Sequence, residues 1–189
     1  MGVKPDHWII HMAKDHNMIA PFEEYLVRQG EISYGPSSYG YDFRIDQKYK
    51  IHRQGFSGTL DPKDVQFDFF EDFEGDCCVI PGGSFVLAQS VEYFRIPRDV
   101  LTICTGKSSY ARCGILVNVT PFEPEWEGHA TISIVNTGLS PVRVYSNEGI
   151  AQLIFLEASE ECYTSYKDRK GKYQGQKKIV LSKIEEKER

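Results

Sequence analysis

Short β-type segments separated by turn residues fill the sequence from residue 31 to about residue 157, and this pattern limits the possible folds most strongly. Glycine, proline and asparagine mark the turns, at Pro81-Gly82-Gly83, Pro97, Gly138 and Asn147-Glu148-Gly149. Many short strands at this spacing favour an all-β barrel or jelly roll over alternating strands and helices. The segments predicted as strands are YKIHR, CCVIPGGSFVLAQSVEYFRIP, VLTICTG, GILVNVTP, HATISIVN, PVRVYS and IAQLIFLEA.

The strand predicted for HATISIVN has one apolar face and one mostly polar face. Successive side chains of a strand point to opposite faces. Ala130, Ile132 and Ile134 therefore share one face, and Thr131 and Ser133 share the other. We expect the apolar face to fill the barrel, which leaves the polar face to contact a ligand or another segment.

The sequences on either side of the β-region have a different character. DHWIIHMAKDH places Trp8, Ile9 and Met12 at helical spacing, and APFEEYLVRQG predicts a second helix that ends at Gly30. The end of the chain is polar and mostly basic. The predicted organisation is one domain over residues 1–189, with a helical N-terminal segment over 1–30, a β-barrel over 31–157 and a C-terminal tail over 158–189.

Charge and composition exclude several classes of function. The formal net charge of −5 argues against general binding to nucleic acid or to anionic membranes, which requires a basic surface. No apolar run approaches the roughly 20 residues of a membrane span, and the N-terminus lacks the apolar core of a secretory signal. Five scattered cysteines indicate reduced thiols in a cytoplasmic protein, with Cys104 and Cys113 expected in the core.

Common catalytic motifs are missing from the sequence. There is no Walker A pattern, no GxGxxG, no HExxH and no Gly-x-Ser-x-Gly. Zinc deaminases need His-x-Glu and Pro-Cys-x-x-Cys, and neither occurs. The segment TGKSSYARC instead combines a glycine turn with Lys107, Ser108, Ser109 and Arg112. These cations and hydroxyls suit a phosphate chain, although a solvated surface turn would have the same composition.

The segment GKSSYARCGILVNVTPFEPEWEGH closely resembles the dCTP deaminases, which are relatives of the trimeric dUTPases. The resemblance extends over nearly the whole chain and includes ISYGPSSYGYDFRI, FVLAQSVEYFRIPRDVLTIC, YSNEGIAQLIF and SYKDRKGKYQGQ. It implies a mainly β fold of the dUTPase type, a distorted β-barrel with short N-terminal helices. It also implies a homotrimer with sites between subunits, which converts dCTP to dUTP without zinc, holds the triphosphate with Mg²⁺ and is inhibited by dTTP.

The resemblance implies roles for individual residues. Residues 107–112 match the loop that wraps the triphosphate, and within it Ser108 and Arg112 match residues that orient the reacting centre. Residues 119–120 and 131–133 match segments that border the pyrimidine, and three tail residues match a segment that closes over the nucleotide. The nucleotide-binding residues implied in this way are Lys107, Ser108, Ser109, Tyr110, Ala111, Arg112, Val119, Thr120, Thr131, Ile132, Ser133, Gln152, Tyr166, Lys172 and Gln176.

Ser133 departs from the family pattern. At the matching position the deaminases have a glutamate, which takes a proton from the attacking water and delivers one to the ring nitrogen. A carboxyl whose pKa is tuned by burial can do this near neutral pH, and it contributes roughly 10²–10⁴-fold to the rate. A serine hydroxyl cannot accept the proton without a base beside it. We therefore expect nucleotide binding to persist and deamination to be impaired or lost.

Glu123 matches the position of a catalytic acid in the dUTPases. There it would activate a water for attack on the α-phosphate, with help from Mg²⁺. Deaminases of the family also keep an acid at this position, so Glu123 does not decide between the two reactions. Structural roles are expected for Glu125 and Glu127 as solvated turn charges, for His129 as a barrel histidine, for Gln152 as an alternative strand amide, and for Asp42 with Arg44 as an ion pair or subunit contact.

Three hypotheses about function remain open from the sequence. The first is a zinc-independent dCTP deaminase, a hydrolase of a cyclic amidine C–N bond, in which Ser133 is either natural or an introduced change. The second is a phosphohydrolase of the same fold that releases pyrophosphate from dUTP or dCTP, with Glu123 as its acid. The third is a catalytically silent homologue that binds dCTP, dUTP or dTTP.

Overall fold

The computed structural model describes residues 2–53, 55, 56, 58–63 and 69–183. Within these residues the chain forms two short helices and a series of strands. The helices are α1 (Asp6–His16) and α2 (Ser108–Ala111). The strands are β1 (Gly2–Val3), β2 (Ile19–Ala20), β3 (Gly35–Ser37), β4 (Gly40–His52), β5 (Phe70–Glu74), β6 (Cys77–Ile80), β7 (Phe85–Arg95), β8 (Val100–Gly106), β9 (Ile115–Asn118), β10 (Glu127–Asn136), β11 (Val142–Tyr145) and β12 (Gly149–Glu157).

Ten of the strands in the described residues form one curled antiparallel sheet. Its main path runs β1-β12-β4-β7-β10-β9, while β2 pairs with β7, β3 and β5 pair with β4, and β8 pairs with β12. The strands β6 and β11 form a separate two-stranded sheet. The predicted mainly β fold is therefore confirmed, and every segment predicted as a strand contains one.

The inner face of the curled sheet holds the hydrophobic core. Phe43 on β4 meets Phe94 on β7 edge to face, with ring centroids 5.6 Å apart. Ile132 and Ile134 on β10 are fully buried, as their alternation with Thr131 predicts. Burial of each side chain of this size stabilises the fold by roughly 1.5–3 kcal/mol. The core thus fixes which face of β10 points outward.

The N-terminal segment contains one of the two predicted helices. Helix α1 buries Ile9 and Ala13 and ends at Asn17, whose left-handed conformation (φ 55°) lets its N–H bond the carbonyl of Met12. The second predicted helix, in residues 20–30, is wrong. Val27 forms a β-bridge with Tyr34 in that stretch. This bridge joins the segment to the chain that directly follows it, in place of the i to i+4 bonds of a helix, so the structural context overrides helical propensity.

An irregularity in β7, of the β-bulge type, shifts the register between β7 and β10. Ser90, Val91 and Glu92 together lie opposite the single residue Ala130. The buried Ser90 hydroxyl accepts a hydrogen bond from the Ala130 N–H (2.7 Å) and donates to the Glu92 carbonyl (2.6 Å). The fully buried Glu92 carboxylate accepts the N–H of Arg44 (2.9 Å) and its Nε–H (2.8 Å). At this point of β7, the Ser90 side chain replaces the backbone hydrogen bond to β10, and the Glu92 side chain replaces the one to β4.

Candidate functional site

The candidate site lies where β9 and β10 separate. The two strands pair only from Ser133–Asn136 to Ile115–Asn118, so Ser133 and Asn118 form their last pair. After Asn118 the chain no longer pairs with β10, and β10 itself begins only at Glu127. Thr131 and Ser133 face this fork because their neighbours in sequence are buried in the core.

The C-terminal tail covers the edge of β10 that β9 leaves open. The Gly175 N–H donates to the Glu127 carbonyl (2.8 Å), and the His129 N–H donates to the Gln176 carbonyl (3.0 Å). The Gln176 side-chain amide also donates to the His129 carbonyl. An extended segment that adds to a free strand edge gains main-chain hydrogen bonds. The tail therefore takes the place of β9 along this part of β10.

The fork and the tail together enclose a cavity of about 740 Å³. This volume lies within the range of about 300–1,000 Å³ that small-molecule sites occupy. Its wall is mostly apolar, with hydroxyl, amide and charged groups at intervals. The lining residues are Leu87, Leu101, Asn118, Val119, Thr120, Pro121, Phe122, Glu123, Trp126, Ala130, Thr131, Ser133, Tyr166, Lys172, Tyr173, Gln176 and Val180.

Arg98, in the turn between β7 and β8, anchors the base of the tail. Its guanidinium bonds the carboxylates of Glu125 (2.6 Å) and Asp168 (2.9 Å) and the carbonyl of Cys162 (3.2 Å). Ser165 and Asp168 also bond each other, because each backbone N–H donates to the other side chain. The start of the tail is thereby fixed to the turn that precedes β10.

Hydrogen bonds at this anchor lower the pKa of two carboxyl groups. The pKa of Glu125 falls below its ordinary value chiefly because the Ser165 side chain bonds it, and secondly because Arg98 does. The pKa of Asp168 falls mainly because the backbone N–H of Ser165 bonds it, again with a contribution from Arg98. Both groups therefore favour the charged form that Arg98 binds.

Glu123 lies on the cavity wall and forms an ion pair with Arg169 of the tail. Both side chains are about half exposed, and such exposed pairs contribute little to stability. Arg169 also lies over the ring of Tyr166, 5.7 Å from its centroid. The Glu123 carboxylate thus already has a cationic partner when the tail is closed.

The structure brings together one part of the residue set predicted from the sequence. These side chains come from the β9–β10 connection, from β10 and from the tail, and they line one cavity. Ile132 is the exception on β10, because its side chain is fully buried in the core and the residue is not part of the cavity wall. The predicted residues that line the cavity are Val119, Thr120, Glu123, Thr131, Ser133, Tyr166, Lys172 and Gln176.

The predicted phosphate loop, residues 107–112, lies elsewhere in the same chain. Neither this loop nor Gln152 contributes to the wall of the cavity described above. Lys107 donates to Asp42 (2.5 Å) and to Ser33 (2.9 Å), and Gln152 donates to Asp42 (3.1 Å). The single chain therefore separates the predicted base pocket from the predicted phosphate loop.

Within the loop, the residues differ in their exposure. Ser108, Ser109, Ala111 and Arg112 are exposed, and the Arg112 guanidinium bonds the carbonyl of Ser108 (2.8 Å). Tyr110 is buried instead, and its hydroxyl accepts the backbone N–H of Tyr145 (2.9 Å). Tyr110 thus holds α2 against β11 of the two-stranded sheet, while its neighbours in the loop are exposed.

Several residues predicted to be structural have identifiable partners. Asp42 and Arg44 do not pair with each other as predicted: Asp42 pairs with Lys107, and Arg44 pairs with Glu92. His129 contacts the Ser90 carbonyl through Nδ1 (3.0 Å). Of the two cysteines expected in the core, Cys104 is partly buried. Cys113 is exposed, because it follows the short helix α2 in a turn.

Sequence reasoning missed Arg98, Asn118, Arg169 and Tyr173 as parts of this region. Asn118 could have been found, since it comes directly before Val119 and Thr120 at the predicted end of a strand. Arg98 carried no local signal, because its partners lie 27 to 70 positions away along the chain.

No group of three or more histidine, cysteine or acidic side chains converges as a metal site in the described residues. In the same residues, no helix is long and apolar enough to cross a membrane.

The curled sheet places this chain in the fold class of a known crystal structure, the 2′-deoxycytidine 5′-triphosphate deaminase from Agrobacterium tumefaciens. The TM-score is 0.61 over 82% of this chain and 47% of that chain, at 15% sequence identity. Likeness at this identity supports the fold alone. Residues 3–158 match the family described as dCTP deaminase-like. The chain belongs to this family, which confirms the resemblance noted in its sequence.

Two curated relatives are similar over their whole length. The dCTP deaminase of Methylococcus capsulatus is 57% identical over 187 residues, which cover 97% of this chain and 100% of that protein. The dCTP deaminase of an Acidovorax species is 56% identical over 187 residues, with the same coverage. The similarity includes the tail, which lies beyond the residues matched by the family.

Proposed function

We propose that the protein acts on dCTP, in pyrimidine deoxynucleotide metabolism that yields dUTP. The reaction hydrolyses the bond between C4 and the exocyclic nitrogen, so that water replaces the amino group and ammonia leaves. The observation that carries this proposal is the cavity at the strand fork, which collects the predicted base-binding residues in a chain 57% identical to a dCTP deaminase. Val119, Thr120, Thr131 and Ser133 would border the base.

The complete site requires more than one copy of the chain. The fork supplies the base pocket, whereas the cationic groups of Lys107 and Arg112 and the exposed hydroxyl of Ser108 lie outside its wall. A homotrimer with sites between subunits would bring the loop of one copy to the pocket of the next. Separation of the two halves within one chain supports this arrangement.

Magnesium would arrive with the triphosphate. Mg²⁺ prefers oxygen ligands and keeps several waters, and it is commonly held by substrate phosphates together with one or two carboxylates. In the described residues no three histidine, cysteine or acidic side chains converge on one point, so we propose that phosphate oxygens and water supply most of the ligands of this ion. Exposed Arg112 and the hydroxyls of Ser108 and Ser109 would bind the remaining phosphate oxygens. We propose no zinc in the reaction.

Ser133 limits the chemistry that this pocket can perform. A hydroxyl without an adjacent base cannot take a proton from water at neutral pH. Thr131 lies two residues before Ser133 on the same strand face and also lines the cavity, but its side chain is another hydroxyl and offers no substitute base. We therefore propose slow or absent deamination with nucleotide binding retained. The second candidate function is a nucleotide-binding homologue without turnover.

The phosphohydrolase alternative receives less support from the site. Glu123 would be its general base, yet its carboxylate is paired with Arg169 in the closed form. A carboxylate that bonds a guanidinium has fewer free lone pairs with which to orient an attacking water. Pyrophosphate release in the experiment below would indicate this reaction.

Incubation of concentrated protein with dCTP and Mg²⁺ separates the candidates. Release of ammonia and dUTP would support deamination, and it should persist with the zinc chelator 1,10-phenanthroline. Release of pyrophosphate would indicate the phosphohydrolase. Calorimetric binding of dCTP without any product would identify the silent homologue. If the protein neither bound dCTP nor converted it, the proposed function would be refuted.

A further inference from the structure

The buried carboxylate of Asp42 lies beside the start of the predicted phosphate loop. Its Oδ2 accepts a hydrogen bond from the Lys107 ammonium (2.5 Å), and its Oδ1 accepts one from the side-chain amide of Gln152 (3.1 Å). Gln152 is directly opposite Asp42 on β12, the strand that pairs with both β4 and β8. One carboxylate on β4 thus holds a group from β12 and the first residue of the loop.

Lys107 is held from several directions. Its ammonium donates to the Ser33 hydroxyl (2.9 Å) as well as to Asp42, and its backbone N–H donates to the carbonyl of Ile150 (3.1 Å). Only 13% of its side chain is exposed, and only 6% of that of Asp42. An ammonium has three N–H donors, so at most one remains for a ligand. Its positive charge is already balanced by the adjacent carboxylate.

Gln152 fixes the orientation of the Asp42 carboxylate. A carboxylate only accepts hydrogen bonds, so the amide nitrogen of Gln152 faces it and the amide oxygen does not. The same nitrogen donates to the Ser37 hydroxyl (2.9 Å), which itself donates to the Gly40 carbonyl (3.2 Å). Both carboxylate oxygens of Asp42 therefore have donors, and the group that binds Lys107 is held in one orientation.

The loop residues after Lys107 present their polar groups outward. The Ala111 N–H donates to the Lys107 carbonyl (3.0 Å), so the position of Lys107 sets where helix α2 begins. Ser108, Ser109 and Arg112 are exposed. A guanidinium has five N–H donors in a fixed fork that suits phosphate oxygens. Arg112 is thus the cation of the loop that is open to a phosphate chain.

We infer that Asp42 is a positioning residue for the phosphate loop. It holds Lys107 as an internal brace, and this brace sets the place from which Arg112 and the serine hydroxyls bind the triphosphate. Lys107 itself is not a phosphate ligand in this arrangement, in contrast to the role that the family resemblance implies for it. Asp42 acts on nucleotide affinity without touching the nucleotide. This inference rests on the proposed function, because the ligand of the loop is a nucleoside triphosphate.

Asp42→Asn separates a brace from a ligand, because the two roles predict different results. The variant keeps the shape of the side chain and removes its charge. If Lys107 is a brace, the loop loses its anchor, and calorimetry should show at least about tenfold weaker binding of dCTP, the scale of a lost charged hydrogen bond. If Lys107 were a phosphate ligand, its freed ammonium would bind dCTP as tightly as before or more tightly, which would overturn the inference.

Asp46→Asn is the matched control on the same strand. The Asp46 carboxylate accepts the N–H of its neighbour Gln47 (2.7 Å), and this change also removes one negative charge from β4. Since Asp46 does not bond the loop, dCTP affinity should stay within about twofold of that of the unaltered protein. An equal loss of affinity in both variants would show that the charge of the strand matters and the brace does not.

A double variant keeps the test decisive if a single unpaired charge unfolds the chain. Removal of one partner of a buried ion pair is strongly destabilising, whereas replacement of both is much milder. Asp42→Asn combined with Lys107→Met leaves the net charge unchanged. Binding of dCTP should weaken, but its dependence on salt concentration should match that of the unaltered protein, because no phosphate contact is lost. A shallower salt dependence would show that Lys107 contacts phosphate and would overturn the inference.

Hydrogen exchange would show whether the effect passes through the loop. The Ala111 N–H should exchange faster in Asp42→Asn and in the double variant, while the amides of β10 keep their protection. Weaker dCTP binding with an undisturbed loop would overturn the inference and leave the proposed function intact. If the unaltered protein did not bind dCTP, the proposed function would be refuted, and this inference with it.

Discussion

Ser133 and Asn118 are directly opposite each other in the last residue pair that joins β10 to β9. Both side chains line the cavity that opens beyond this pair. A side chain at position 133 therefore enters the fork at its apex, held by pairing on both sides of β10. This position explains why a change of side chain there can alter the chemistry while the surrounding strands remain the same.

We predict that Ser133→Glu increases deamination of dCTP by roughly 10²–10⁴-fold, the usual contribution of a positioned acid–base group. The mostly apolar cavity should raise the pKa of the new carboxyl towards neutrality. The measurement is ammonia release at saturating dCTP. Ser133→Gln, which has similar size but no acid function, is the matched control and should remain slow. Equal rates in both variants would contradict the assigned role of this position.

We predict that the tail loosens as the pH falls. The folded-state pKa values of Glu125 and Asp168 are lowered, so both groups stabilise the closed tail above their ordinary pKa values of 4.5 and 3.8. That stabilisation is lost as the pH falls through the lowered values. Hydrogen exchange of residues 161–168, corrected for intrinsic rates, should show less protection at pH 3 than at pH 6.

Arg98 provides the control for this pH effect. Arg98→Met removes the cation that bonds both carboxylates, so protection at pH 6 should fall and its pH dependence should become shallower. The bonds from Ser165 to Glu125 and Asp168 would remain, which leaves a residual dependence. Identical pH profiles in the two proteins would show that Arg98 does not anchor the tail.

We predict that Ser90→Ala destabilises the fold. The variant removes the acceptor of the buried Ala130 N–H, and a buried unsatisfied donor costs about 1–3 kcal/mol. Urea denaturation at a fixed protein concentration would measure this loss. Ser140→Ala is the control: this residue is exposed, so its effect should stay within about 0.5 kcal/mol. Equal stability of both variants would mean that another group accepts the hydrogen bond of the Ala130 N–H when the Ser90 hydroxyl is removed.

We predict that the cysteines differ strongly in reactivity. Burial raises the pKa of Cys104 to about 12 and is the main reason why that of Cys78 rises to about 11. Thiolates are the reactive form, so iodoacetamide at pH 8 should modify exposed Cys113 well before these two. Mass spectrometry of digests would give the rates, and urea-unfolded protein should react at all sites. Early modification of Cys104 in the folded protein would contradict its burial.

Sequence patterns predicted the features that depend on neighbouring residues. The alternation in HATISIVN correctly placed Ile132 and Ile134 in the core and Thr131 and Ser133 towards the cavity, because strand periodicity is local. Helix α1 was predicted for the same reason. The second helix failed because Val27 bonds Tyr34 instead of its own neighbours in the chain.

Such local patterns could not predict contacts between residues that are far apart in the sequence. Asp42 on β4 pairs with Lys107, which follows β8, and Arg44 on β4 pairs with Glu92 on β7, so each contact joins residues that are far apart in the sequence. Asp42 and Arg44 lie only two positions apart on β4, yet their partners belong to different parts of the fold. The resemblance to the family located the pocket residues, but it did not reveal that Thr131 accepts two hydrogen bonds from the tail.

The separation of the phosphate loop from the pocket leads to a final prediction about assembly. Arg112→Ala would damage the loop of every subunit, and Gln176→Ala would damage every pocket, so each variant alone should bind dCTP poorly. If each site combines the loop of one subunit with the pocket of another, refolding an equal mixture should restore about a quarter of the sites, because random mixing pairs an intact loop with an intact pocket at that frequency. Calorimetric titration would count them. No recovery in the mixture would indicate that each pocket uses the loop of its own chain, since a subunit damaged in either half could then never form a complete site.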